Sequence, residues 1–230
     1  MERGKISVKR YWDVSYNILH GRDESYFYSQ LRELVFESVQ LHGRSDVPVG
    51  SYVSGGMDSS LMFHLSALNS SSSLAGFHGR FLDFSGYDES SFAADAVNHG
   101  GGKLHTIDIG ASDFTNTIAD VIYHLDFPIA GPGSFPQFMV SRLAAEHTKV
   151  VLGGQGGDEI FGGYARYMVA YLEQCIKAAI DGTYRNGNYV VTIESITRAG
   201  PILRNVRTPN ATSSPLLGVS PGAKNFTNFS

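Results

Sequence analysis

The sequence predicts an α/β fold in which an open, mostly parallel sheet carries helices on both faces. Short runs of β-branched and aromatic residues alternate with longer segments whose apolar residues recur at helical spacing. Such alternation is typical of parallel strands joined by crossover helices. Two of the predicted strands also run directly into glycine-rich turns that open a helix. A chain of 230 residues is long enough for one such domain with a substantial core.

The first half of the chain alternates in this way from residue 23 onward. A helix is predicted from Asp23 to Gly43, with one buried face made of Phe27, Leu31, Leu34, Val35 and Val39. A buried strand at 49–53 leads through a turn of small residues into a helix with leucines at 61, 65 and 68. A second strand is predicted at 74–81. A helix that begins at 87–90 and ends at 100–102 then precedes a third strand at 104–109.

The second half continues the pattern as far as about residue 200. Ser112 is predicted to cap an amphipathic helix that buries Phe114, Ile118, Val121, Ile122 and Leu125. The loop at 126–134 is rigid because it contains two prolines, and it either shapes a substrate pocket or is a plain connector.

A helix at 135–147, a fully buried strand at 149–153, a second glycine-rich loop at 153–164 and a helix at 165–180 follow. A turn is predicted at 186–188 and a short strand or a further helix at 189–193. Residues 1–22 are interpreted as an arm or linker and residues 201–230 as an irregular or disordered tail, because both segments lack periodicity.

Composition limits the functions to consider. The net charge is −4 and only 17% of residues are charged, which argues against nucleic acid and anionic membranes as partners. No apolar run is long enough to span a bilayer, and the first residues do not form a secretory signal. Cys175 is the single cysteine, so no internal disulfide can form. We interpret Cys175 as a buried structural thiol and expect a cytoplasmic location.

The turn after the first strand has the chemistry of an anion site. Its sequence is Ser54-Gly55-Gly56-Met57-Asp58-Ser59-Ser60. A glycine turn between a strand and a helix gathers free backbone N–H groups at the positive end of the helix dipole. The serine hydroxyls add donors, and a carboxylate beside a polyphosphate indicates a bridging Mg²⁺, with Asp58 as its ligand. An ordinary Gly-Gly turn capped by Ser and Asp is the alternative interpretation.

A second turn of this kind follows the strand at 149–153. Four glycines surround one polar residue, Gln155, and two acidic residues open the next helix. Asp158 could hold the same magnesium ion as Asp58 from the opposite side. Paired acids are also common stabilising residues in the first turn of a helix, so this interpretation stays open beside the functional one.

The first turn resembles the S-G-G-x-D-S pyrophosphate loop of the ATP pyrophosphatase (PP-loop) superfamily. The stretches Tyr87-Asp88-Glu89-Ser90, 124–128 and 153–164 narrow the resemblance to the synthetase domain of glutamine-hydrolysing asparagine synthetase. That resemblance covers residues from about 11 to about 188. It implies an adenine nucleotide alpha hydrolase-like fold, with residues 23–200 as an ATP-binding synthetase domain that is incomplete at its C-terminus.

The family implies a ligase that uses ATP to adenylate the β-carboxylate of aspartate. Ammonia, supplied by a glutaminase domain or subunit, then gives asparagine, AMP and pyrophosphate. Asp58, Asp158 and Gln155 would act in catalysis, the two aspartates as ligands of Mg²⁺. The nucleotide would contact Val53, Ser54, Gly55, Gly56, Asp58, Ser59, Ser60, His78, Gly153 and Gly154. For His78, a packed or hydrogen-bonded histidine is the alternative to a wall of the adenine pocket.

Several positions depart from the family's pattern. Gln155 stands where many relatives carry Glu or Asp, which weakens proton transfer there but allows amide recognition. Phe127 and Gly131 replace acidic residues common in the loop at 126–134, so the amino-acid specificity is open. The 230 residues contain no stretch that resembles the family's glutaminase domain with its N-terminal cysteine, so we expect this chain alone not to take nitrogen from glutamine. The region that supplies a lysine for the adenylated intermediate has no counterpart either.

Three functions follow as hypotheses. The first is asparagine synthesis with aspartate and ammonia, by a chain that could be a fragment and could form a homodimer. The second is a truncated nucleotide-binding module without turnover. The third is a related synthetase that activates another carboxylate, as β-lactam-forming enzymes do.

Overall fold

The protein contains a four-stranded parallel sheet between two layers of helices. The computed structural model describes residues 4, 6–15, 19, 21–81, 83, 88–126, 131 and 133–181. Strands β1 (Val49–Tyr52), β2 (Ala75–Arg80), β3 (Lys103–Asp108) and β4 (Val150–Leu152) lie in the order β3-β2-β1-β4. All three neighbouring pairs are parallel. The predicted open, parallel α/β fold is thus confirmed.

Seven helices surround the sheet within the described residues. In chain order they are α1 (Glu24–His42), α2 (Met57–Asn69), α3 (Ser90–His99), α4 (Ala111–Leu125), α5 (Ser134–Ala145), α6 (Gly157–Phe161) and α7 (Ala165–Ile180). Residues 6–15 contain neither helix nor strand. No helix in these described segments is both long and apolar enough to cross a membrane.

Each face of the sheet has its own apolar core. On one face α2 and α3 cover the sheet, and the core consists of Val53, Phe63, Leu74, Ala93 and Val97. On the other face α4 and α5 enclose Ile109, Val121, Phe135 and Met139. The predicted covering of both faces is therefore confirmed, as is the burial of Cys175, which is 5% exposed.

Predictions of burial are wrong on three elements, β4, α1 and α4. Strand β4 is half-buried along its whole length, because it lies at the edge of the described sheet with a strand partner on only one side. On α1 only Val39 is buried, whereas Leu34 is 63% and Phe27 is 45% exposed. This helix packs mainly on α2, so most of its predicted apolar face lies outside the core.

On α4, too, residues that were predicted as buried are exposed, and the helix has a different N-cap from the predicted one. Phe114 and Ile122, predicted as buried, are 44% and 59% exposed. The N-cap is Gly110 and not Ser112, and Asp113 Oδ2 accepts from Gly110 N at 2.9 Å. A carboxylate in the first turn thus satisfies the backbone N–H of the N-cap residue, as in a capping box. The turn at 186–188, the segment at 189–193, the tail at 201–230, Tyr87 and Phe127 lie outside the described residues.

Candidate active site

The turn between β1 and α2 is closed by hydrogen bonds among its serines. Ser59 Oγ accepts from Ser54 N at 3.1 Å, lies 2.9 Å from Ser54 Oγ and donates to Gly56 O at 3.1 Å. Gly56 N donates to Ser54 Oγ at 3.2 Å. Gly55 has a φ of 97°, in the left-handed region that favours glycine. The loop therefore has a fixed shape, with the first N–H groups of α2 at its end.

The second glycine-rich turn lies directly against the first. Strand β4 pairs with β1, so both turns leave the same edge of the sheet. A Cβ atom built on Gly154 would lie 2.8 Å from Ser59 N, and one built on Gly157 would lie 2.5 Å from Asp58 Cγ. The neighbours of Gly154 are backbone atoms, so only a residue without a side chain allows this approach at 154, whereas the neighbour of Gly157 is the Asp58 carboxylate. After β1 the chain adds β2 and β3 on one side of β1 and then adds β4 on the other side. Open α/β sheets bind ligands at such a switch point, here between β1 and β4.

A cavity of about 830 Å³ opens where the two turns meet. Nine of the predicted site residues line it: Val53, Ser54, Gly56, Asp58, Ser59, His78, Gly154, Gln155 and Asp158. Gly55, Ser60 and Gly153 belong to the same turns but do not line the cavity. The structure thus brings together two turns about a hundred residues apart, with Asp58 and Asp158 on one cavity.

Carboxylates dominate the charge of this cavity. Asp58, Glu89, Asp158 and Glu159 line it, and none of the described lining residues is Lys or Arg. Tyr164 donates to Glu159 Oε1 at 2.8 Å, and this hydrogen bond lowers the pKa of Glu159 and raises that of Tyr164. An anionic ligand would be repelled here unless cations accompanied it.

Asp58 and Asp158 could contribute ligands to a divalent cation such as Mg²⁺. The described residues contain no group of three or more His, Cys, Asp or Glu side chains arranged for a metal ion. Mg²⁺ commonly takes only one or two protein carboxylates and completes its shell with water and substrate phosphates. Asp58 and Asp158, each in the first turn of a helix, provide that many ligands.

His78 lies behind the first turn and is almost completely buried, with 4% of its surface exposed. Its Nδ1 lies 2.8 Å from Val53 O, and its Nε2 lies 3.1 Å from Ser90 Oγ. Ser90 Oγ in turn donates to Asp88. Sequence reasoning placed His78 near the nucleotide but missed these partners, since Val53 follows β1 and Ser90 opens α3, both apart in sequence from His78 on β2.

A chain of polar side chains forms another wall that the sequence analysis missed. Gln155 Nε2 donates to Gln137 Oε1 at 3.2 Å, and Gln137 Nε2 donates to Ser141 Oγ at 3.4 Å. The hydroxyl oxygen of Tyr52 lies 2.8 Å from Ser141 Oγ. Gln137 and Ser141 are one turn apart on α5, so an i, i+4 polar pair among mostly apolar residues was the available signal.

The fold and this edge define a general class of protein: a parallel α/β domain whose glycine-rich turns meet at the topological switch point of the sheet. Comparison with known families makes the class specific. Residues 30–216 match the asparagine synthase family, and the chain belongs to that family. The family resemblance seen in the two loops is therefore confirmed.

Individual relatives agree with this assignment. "Asparagine synthetase [glutamine-hydrolyzing] 1" of Bacillus subtilis is 33% identical over 71% of this chain and 26% of its own length. "Putative asparagine synthetase [glutamine-hydrolyzing] 2" of Methanocaldococcus jannaschii is 30% identical over 77% of this chain and 34% of its own. "Amidase chyE" of Penicillium rubens is 30% identical over 72% and 27%. The chain thus spans between a quarter and about a third of the length of these relatives.

Proposed function

We propose that this chain forms the ATP-binding, carboxylate-activating part of an asparagine synthetase-like ligase. In this reaction a carboxylate oxygen of aspartate attacks the α-phosphorus of ATP and pyrophosphate leaves. Ammonia then attacks the acyl carbon of the adenylate, and AMP departs as the amide forms. The observation that carries the proposal is the meeting of the two glycine-rich turns, with Asp58 and Asp158, on one cavity at the switch point of the sheet.

The backbone of the first turn suits a departing pyrophosphate. The N–H groups of Met57, Asp58 and Ser59 open α2 and have no acceptor within the helix. Fixed donors of this kind stabilise charge that develops on a leaving group, since they need no reorientation during the reaction. The serine hydrogen bonds hold the turn, so the donors keep their direction.

Mg²⁺ would supply the positive charge that the described side chains lining this cavity lack. Asp58 and Asp158 would hold the ion from the two turns, and it would supply positive charge to neutralise the phosphates. The excess of carboxylates in the cavity supports this assignment, because the nucleotide alone would be repelled. Gln155 would contact the acceptor through its carboxamide, which cannot take up a proton from the attacking ammonia.

The test is pyrophosphate exchange, in which labelled pyrophosphate enters ATP only if an adenylate forms reversibly. We expect exchange that needs both aspartate and Mg²⁺. Asp58→Asn should reduce the exchange rate about a hundredfold, the effect of removing a charge-stabilising group at a reacting phosphate. Asp120→Asn is the matched control, because Asp120 is exposed on α4 and does not line the cavity.

Two results would contradict the proposal in different ways. Equal exchange rates in Asp58→Asn and Asp120→Asn would exclude Asp58 from the reaction. Tight binding of ATP without exchange for any carboxylate would instead identify a nucleotide-binding module without turnover. Equilibrium binding of ATP, measured with and without Mg²⁺, separates the second result from a failure to bind nucleotide.

A second candidate keeps the chemistry and changes the substrate. Two relatives are named amidases, "Amidase chyE" at 30% identity and "Amidase chry2" of Gibberella zeae at 26%. These names do not mention aspartate, so an acceptor carboxylate other than aspartate is a second candidate. Exchange measured with a panel of amino acids and larger carboxylic acids distinguishes the candidates, because only the true acceptor supports incorporation of label into ATP.

A further inference from the structure

One peptide group lies at the start of the first turn. It joins Val53, the residue after β1, to Ser54, the first residue of the turn. Its N–H donates to Ser59 Oγ at 3.1 Å. Its carbonyl accepts from the ring of His78, whose Nδ1 lies 2.8 Å away and must carry the proton, since a carbonyl oxygen only accepts. The plane of this peptide is therefore held from both sides.

The ring of His78 is itself held firmly. It is 4% exposed, and its second nitrogen lies 3.1 Å from Ser90 Oγ. Ser90 opens α3, and its backbone N–H donates to Asp88 at 3.1 Å. Its hydroxyl lies within hydrogen-bond distance of both His78 Nε2 and Asp88 and has one proton for the two of them. Hydrogen bonds from Ser90 lower the pKa of Asp88. A buried ring with both nitrogens bonded has little freedom to turn.

The orientation of that peptide sets the direction of the whole turn. Ser59 Oγ, which accepts from Ser54 N, also donates to Gly56 O, and Ser54 Oγ accepts from Gly56 N. A rotation of the Val53–Ser54 peptide would disturb each of these bonds, because all of them involve Ser54 or its partner Ser59. No other side chain of the described residues donates to the Val53 carbonyl.

We propose that His78 is a positioning residue that aims the first turn through its Nδ1 hydrogen bond to the Val53 carbonyl, with Ser90 and Asp88 fixing the ring. His78 also lines the cavity, and its Nδ1 hydrogen bond acts on the ligand through the peptide that it holds. That the turn binds phosphate rests on the proposed function, whereas the hydrogen bond by which His78 positions the turn does not.

Two substitutions separate the nitrogens of the ring. In His78→Asn the carboxamide reaches the place of Nδ1 and can still donate to Val53 O. In His78→Gln it reaches the place of Nε2 and loses that bond. We expect the amides of Ser54, Gly56 and Ser60 to exchange with deuterium about fivefold faster in His78→Gln, the effect of losing one hydrogen bond, and at nearly the wild-type rate in His78→Asn.

Amide exchange in α4 and the melting temperature serve as controls for general destabilisation. If His78 were merely structural, both variants would change the α4 exchange rates and the melting temperature equally. The amide exchange rates at the turn would then not differ between the two variants. Equal rates at the turn in His78→Asn and His78→Gln would overturn the proposal. Ser90→Ala, which keeps the ring and its Nδ1 bond, should give a smaller increase than His78→Gln, and a larger one would also overturn it.

Pyrophosphate exchange then connects the positioning to the proposed function. His78→Gln should raise the KM for ATP about fivefold and His78→Asn should restore it. If the wild-type chain shows no exchange, the proposed function fails, but the deuterium measurement still decides the role of His78.

Discussion

Gly154→Ala is the sharpest perturbation of the contact between the two glycine-rich turns. The added Cβ would lie 2.8 Å from Ser59 N and 2.9 Å from the carbonyl carbon of Asp58. Both neighbours are backbone atoms in the first turn of α2, so no side chain can rotate away. An ordinary contact begins at 3.4 Å, which leaves a shortfall of about 0.6 Å for Ser59 N. The turns must therefore separate by roughly that distance.

The consequences for stability and for activity differ in size. Overpacking of this kind costs about 1–3 kcal/mol, or about 2–10 °C in melting temperature for a chain of this length. A misplacement approaching 1 Å costs about a hundredfold in rate when two groups must act on one substrate. We thus expect a folded variant, seen by calorimetry, whose pyrophosphate exchange falls far more than its stability.

Gly133→Ala is the matched control for this variant. Gly133 also lines the cavity, but a Cβ there meets nothing within 4 Å and its φ of −68° suits alanine. This control should keep the wild-type exchange rate and melting temperature. If Gly154→Ala behaved like Gly133→Ala in both measurements, the close approach of the turns would have no functional role, and the reasoning above would be refuted.

Three further predictions concern the fold. Phe63→Ala removes a side chain with no exposed surface and should lower the free energy of unfolding by about 3–5 kcal/mol in urea titrations. Desolvation, with the nearby charge of His147, lowers the pKa of His105, so the unfolded chain binds more protons than the folded one and stability should fall as pH drops below about 6.5. In melting curves recorded from pH 8 to pH 5, His105→Phe should weaken this fall and His99→Gln, exposed at the end of α3, should not. Cys175 is 5% exposed, so a thiol reagent should modify it slowly in the folded protein and quickly in urea, and equal rates would contradict its burial.

The local structure of the first turn could be predicted because its causes are local. A strand, two glycines and a helix start lie within a dozen residues, and their N–H groups must point to one place. The closeness of Gly154 to Ser59 could not be predicted in the same way, because it depends on β4 pairing with β1 across a hundred residues. Matching chemistry in the two turns suggested a shared site, but only the sheet order brings them together.

Burial was harder to predict than secondary structure. The apolar spacing of α1 gives its helix correctly, yet Leu34 and Phe27 lie largely exposed. Periodicity indicates which residues share a face but not what packs against that face. The same limit applies to β4, whose apolar run indicates a central strand although it lies at the edge of the described sheet.

The charge of the cavity gives the final constraint on function. Four carboxylates line it, and the described lining residues include neither Lys nor Arg, so each added negative charge raises the electrostatic free energy of the bound state. The N–H groups at the start of α2 carry only about half a positive charge and cannot offset a triphosphate. Binding of ATP should therefore depend steeply on Mg²⁺, more steeply than in a site lined by basic residues. Replacing Glu159 by Gln, which removes one carboxylate without touching Asp58 or Asp158, should weaken that dependence. A titration of ATP affinity against Mg²⁺ measures it, and an affinity that is independent of Mg²⁺ would contradict an electrostatic role for the ion.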